Sequence, residues 1–166
     1  MEAGLNTANS IAIRHAASKA DITAIAALFQ AYAASIGVDL AYQDFAAELA
    51  GLPGKYAPPK GALLLATDTD GRALGCVAMR PLDAGACEMK RLYVAPAAQG
   101  LGLGRRLAEA VIAAARTRGY REIRLDTLPT MATAMALYAR LGFEEIAPYY
   151  DTPVTGTRFL AKHLSD

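Results

Sequence analysis

Apolar and polar positions alternate through Ile11–His15 (IAIRH), the pattern of a short strand. From Asp21, read as an N-cap, the period lengthens. Ile22, Ile25, Leu28 and Phe29 share one face, and the spacing predicts a helix to about Ile36. A second helix is expected over Tyr42–Leu52, ended by Pro53 and Gly54, and PGKYAPPKG (53–61) must be a loop because paired prolines fit neither helix nor central strand. GALLLAT (61–67) and ALGCVAMR (73–80) read as strands joined at Asp70-Gly71, and CEMKRLYV (87–94) follows the PLDAG turn as a third. A helix is predicted after the glycines at 100–104, with Leu103, Leu107, Ala110, Val111 and Ala114 on its apolar face and Gly119 at its C-cap. REIRLDT (121–127) is a strand, Met131–Leu141 a helix, and FEEIA (143–147) and TRFLAKHL (157–164) two closing strands. The order βααβββαβαββ describes one mixed α/β domain over residues 1–166, with residues 1–10 a flexible N-terminus.

Composition narrows the classes. The 166 residues are 54% hydrophobic and 20% charged, which suits a packed core and excludes disorder. A formal net charge of +1 speaks against a nucleic-acid binder. Six arginines crowd residues 105–124; the four at 116, 118, 121 and 124 read as a solvated helix end and strand face. Cys87 falls opposite about residue 80, away from Cys76, so reduced thiols are expected. Neither a leader-like start nor a membrane-length apolar run is present, and the expected location is the cytoplasm.

The chemistry begins at VAPAAQGLGLGRRLAEAV (94–111), a strand end, a glycine-rich turn and a helix start. Free N–H groups at such a turn, aided by the helix dipole, hold phosphate oxygens. The dinucleotide fingerprint fails, since its third glycine would fall on Arg105 or Leu107, and no Lys-Ser or Lys-Thr completes a P-loop.

The spacing Gln99-x-x-Gly102-x-Gly104 between strand and helix, followed by ATAMALYARLGF (132–143), resembles the two signatures of the GNAT superfamily, the Gcn5-related N-acetyltransferases. The resemblance covers about residues 61–164, and the two N-terminal helices fit its layout. It implies the acyl-CoA N-acyltransferase fold, a mostly antiparallel central sheet of six to seven strands with helices on both faces. It also implies acetyl-CoA as cofactor, no metal, and acetyl transfer to a primary amine of a small molecule or amino acid. A non-catalytic acyl-CoA sensor and a protein acceptor are the alternatives, and the chain is expected as a monomer or homodimer.

By the same resemblance, Gln99, Gly100, Leu101, Gly102, Leu103, Gly104 and Arg105 would wrap the pyrophosphate. The backbone of Leu92, Tyr93 and Val94 would pair with pantetheine, with Met131 and Ala134 alongside. Met131 stands where many members carry asparagine. Tyr138 matches the tyrosine that protonates the departing thiolate. Glu88 matches a strand glutamate acting as base, or is a surface carboxylate paired with Lys90; Asp126 and His15 are weaker candidates. The acceptor would meet Tyr149, Tyr150, Asp151 and Arg80, which read equally as aromatic packing and surface charge.

Overall fold

The computed structural model describes residues 10–83 and 85–164, so the N-terminal segment 1–9 and position 84 of the PLDAG turn lie outside the described residues. Seven strands form one sheet: β1 (Ala12–His15), β2 (Ala62–Thr67), β3 (Ala73–Asp83), β4 (Ala86–Val94), β5 (Glu122–Thr127), β6 (Glu144–Ile146) and β7 (Arg158–His163). Four helices join them: α1 (Lys19–Ile36), α2 (Phe45–Ala50), α3 (Leu103–Thr117) and α4 (Ala132–Arg140). The sheet order is β1-β2-β3-β4-β5-β7-β6, antiparallel throughout except for β4 beside β5. That parallel pair follows from the connection, because α3 must carry the chain back across the sheet before β5 begins. The expected order βααβββαβαββ is the observed one.

Strand alternation sorts side chains to two faces. Leu63, Leu65, Cys76 and Ala78 meet Ile25, Leu28 and Phe29 of α1. Leu64, Val77, Met79 and Met89 meet Leu103, Leu107 and Val111 of α3, and Tyr138 and Phe143 extend that core. Cys76 and Cys87 are both buried free thiols.

Two expectations need correction. The second helix is broken: a 3-10 turn at Leu40–Gln43 precedes α2, with Asp44 between them in the left-handed conformation (φ 59°). The N-cap of α1 is Ser18 rather than Asp21. Ser18 Oγ accepts from the Asp21 N–H, and the Asp21 carboxylate accepts from the Ser18 N–H, a capping box. Asp21 also accepts a bidentate pair from Arg14 at 2.7 and 2.8 Å, which joins the helix start to β1.

Arg14, with the N–H groups of Ala17 and Ser18, holds the Asp21 carboxyl well below the usual carboxylate range. A depressed folded-state pKa stabilises the fold at pH values above the unfolded carboxyl's, about 3.9, and the contribution is lost as pH falls below it. Asp21→Asn is expected to lower Tm at neutral pH. The gap to the parent should narrow as pH falls through 4, as thermal unfolding across a pH series will measure.

Candidate active site

β4 and β5 stay paired only from Ala86–Glu88 against Glu122–Arg124. Beyond Glu88 they part, and Tyr32, Lys90, Leu92, Asp126, Met131 and Tyr138 line the opening. The parting coincides with a bulge in the β3–β4 ladder and with Arg91 at φ 63°, a left-handed conformation that costs a non-glycine residue about 1–2 kcal/mol. The Arg91 side chain, 2% exposed, is tied down on every side. Its Nε and Nη2 donate to Glu48 at 3.0 Å and its Nη1 to Gln43 at 2.9 Å. The guanidinium carbon lies 5.2 Å from the Phe45 ring centroid and 5.7 Å from that of Tyr32. Tyr56 adds a hydrogen bond to Glu48 at 3.0 Å.

A second polar cluster sits where the strands separate. Glu88 is 1% exposed, so the surface-carboxylate reading is wrong. Its Oε1 accepts from Arg80 Nε at 2.8 Å and its Oε2 from Tyr149 Oη at 2.6 Å. Lys90 Nζ stands 3.9 Å from Oε1, and burial lowers the Lys90 pKa, partly offset by Glu88. Tyr150 donates to Asp126 Oδ2, and Tyr149, Tyr150 and Phe159 pack edge to face. Arg124 is no solvated strand residue: it contacts Glu122 and Asp83 and lies 5.8 Å from the Tyr149 ring. Arg118 likewise donates to the Gly61 carbonyl at 3.1 Å.

Tyr138 reaches the opening from the opposite face, packed on Phe143. Burial pushes its phenol up, and its hydroxyl makes no hydrogen bond among the described residues. It therefore remains a protonated donor at neutral pH. Glu88, Lys90, Asp126 and Tyr138 thus converge from three elements. His15 does not join them, being on edge strand β1 beside Leu64, and Asp151 is exposed and takes part in none of these contacts.

The glycine turn runs from Gln99 to Gly102. Gly100 and Gly102 have φ of 83° and 75°, while Gly104 lies inside the helix against Val94 and Leu137. The left-handed pair is therefore Gly100 and Gly102, where a side chain would be strained. No side chain caps the α3 start, and a Cβ on Gly102 would point into empty space. Unsatisfied N–H groups facing an open cradle suit pyrophosphate. Gln99 Nε2 donates to the Val94 carbonyl at 3.4 Å, fastening the turn to the end of β4. Leu92, Tyr93 and Val94 lie in the length of β4, residues 89–94, that has no β5 beside it, and Met131 and Ala134 begin α4.

A cavity of about 250 Å³ is lined by α2, the 53–56 turn, Glu48 and Arg80 and shares no lining residue with the opening, which holds about 20 Å³. Tyr138 and the free edge of β4 line the smaller space and not the larger one. Glu48, Gln43 and Tyr32 were not legible as site residues, since their partner Arg91 lies 43 and 48 positions from the first two.

The sequence profile of the Acetyltransferase (GNAT) family matches residues 23–143. An uncharacterised N-acetyltransferase of Schizosaccharomyces pombe is 42% identical over 139 residues, 83% of this chain and 85% of that protein. A GNAT-family acetyltransferase structure from Staphylococcus aureus superposes with a TM-score of 0.79 at 21% identity, covering 93% of this chain and 99% of that one, a likeness of fold. A Salmonella typhimurium structure solved with its cofactor acetyl-CoA gives a TM-score of 0.65 at 25% identity, covering 95% and 96%.

Removing Glu48 strands the buried Arg91 guanidinium. Glu48→Ala is expected to cost about 3 kcal/mol, as for other broken buried pairs, with urea unfolding as the measurement.

Proposed function

The chain belongs to the GNAT family of acetyltransferases, and on that premise we propose that it moves the acetyl group of acetyl-CoA to a primary amine of a small molecule by direct attack, as a single catalytic domain. One observation carries this reading: the opening between β4 and β5 passes through the sheet, with an unpartnered tyrosine hydroxyl on one side and carboxylates on the other. The cradle at its mouth fits the cofactor, since the N–H groups at Gly100–Arg105 are uncapped and the Gly102 position is open.

Acetyl-CoA, when bound, supplies an acetyl group activated as a thioester. Ala95 N–H bonds the Leu74 carbonyl on the β3 side, so alternation turns the N–H groups of Leu92 and Val94 to the free edge of β4, where they can pair with pantetheine amides and polarise the thioester carbonyl. Tyr138 is the proton donor to the departing sulfur. A thiol near pKa 8.5 leaves more readily with a donor at hand, and the raised phenol keeps its proton until then.

The acceptor amine enters from the α1 face. A lysine-like amine with pKa of about 10.4 is mostly protonated at pH 7, so its proton needs a destination. Glu88 supplies it through Tyr149, whose hydroxyl accepts the proton as it passes its own to Oε2. Burial and the neighbouring Glu88 raise the Tyr149 phenol, so it rests protonated, ready to relay.

Coenzyme A release measured against a panel of amines tests the assignment. Turnover on at least one amine is expected; tight acetyl-CoA binding with no turnover on any would identify a sensor instead. Tyr138→Phe should lower kcat by about a hundredfold with cofactor Kd unchanged in calorimetry, and unchanged kcat would remove the acid role. Gly102→Val should abolish acetyl-CoA binding, because it fills the cradle and forces a branched residue to positive φ.

A further inference from the structure

The hydrogen bonds around the opening are unevenly distributed. Both oxygens of Glu88 are occupied, by Arg80 and Tyr149, and both oxygens of Glu48 by Arg91 and Tyr56. The cations are less well provided. Lys90 has 6% of its side chain exposed, and its ammonium makes no hydrogen bond among the described residues; its one ion-pair contact is Glu88 Oε1 at 3.9 Å. Arg80 uses Nε on that same oxygen, and its two terminal nitrogens make no hydrogen bond among the described residues. Two cations therefore share one carboxylate oxygen and keep their remaining donors unused.

Arg91 and Arg124 do not share this condition, being paired with Glu48 and with Glu122 and Asp83 respectively. The compensating negative charge lies across the opening on β5. Asp126 lines it, with Tyr150 on Oδ2 and no hydrogen bond to Oδ1 among the described residues. Donors gather on the β3–β4 side, and a free carboxylate oxygen lies on the β5 side.

The Lys90 side chain is 6% exposed, so its ammonium has little water and no hydrogen-bonded anion among the described residues, and its neighbour Glu88 is already committed. On the reading that this opening is the transfer site, the geometry points to an acceptor that is an amino acid: its carboxylate bound by Lys90 and the terminal nitrogens of Arg80, its amino group directed to Asp126 beside the opening. Such a zwitterion places one charge of each sign opposite its complement. The rings of Tyr149 and Tyr150 stand beside it, leaving the amino acid side chain to be selected by the cavity next to Arg80. Lys90 and Arg80 would then set specificity without touching the reacting atoms.

The test uses matched sets: free amino acids, their α-carboxamides, and the amines left when the carboxylate is absent. Carboxamides have the more acidic ammonium and so more free amine at neutral pH, which would favour them if the carboxylate were unrecognised. The inference expects kcat/KM at least about tenfold higher for the acids, carried in KM. Lys90→Met should raise KM for the acids and bring the acid-to-carboxamide ratio towards one, and Lys90→Arg should restore part of it. Binding of each set to the protein saturated with coenzyme A, followed by calorimetry, gives a readout independent of turnover. Acids that bind without being acetylated would uphold the inference and overturn the enzymatic reading. Amines acetylated without preference for the acid would do the reverse. Absence of acid binding, or an acid preference unmoved in Lys90→Met, overturns the inference.

Discussion

The arrangement depends on β4 leaving β5 while remaining on β3. The parallel pairing lasts three residues, and Arg91 turns the strand away with a left-handed backbone that a long side chain adopts only at a cost. What holds it there is the guanidinium on the α1 face of the sheet, gripped by Glu48 and Gln43 and flanked by Tyr32 and Phe45. Charge-assisted, bidentate bonds of this kind are strong enough to offset a strained residue. They also bring the segment 40–50, otherwise a short 3-10 turn and a six-residue helix, against the strand it must wall.

The alternation of β4 then divides the chemistry between two faces. Cys87 and Met89 enter the apolar core under α3, and Glu88 and Lys90 point towards α1. Tyr138 belongs to the apolar side and reaches the opening from beneath, so its phenol is desolvated while the carboxylates are met by cations and tyrosines. A sheet closed across β4 and β5 would separate these groups. The parting puts a buried phenol and a polar cluster on the two sides of one opening.

Much of this was legible in the chain because it depends on local rules. Strand and helix order, the glycine turn, and Tyr138 one turn before Leu141-Gly142 all follow from spacing within about a dozen residues. The misreadings share another origin. Asp21 looks like an N-cap because acidic residues favour both that position and N3, and only Ser18 and Arg14 decide between them. Arg124 reads as solvated because Asp83 and Tyr149 are remote in sequence. Glu88 reads equally as base or surface residue until Tyr149, 61 positions later, closes over it.

That closure joins the two ends of the site. The loop after β6 contributes Tyr149 to Glu88 and Tyr150 to Asp126, so each of the two carboxylates near the opening is reached by one of two adjacent hydroxyls. Both rings rest on Phe159 of β7, the strand paired with β5 along its whole length. A displacement of this loop would disturb both carboxylates together. The two carboxylates are therefore ordered by one loop and one aromatic support, so a change at Phe159 reaches both.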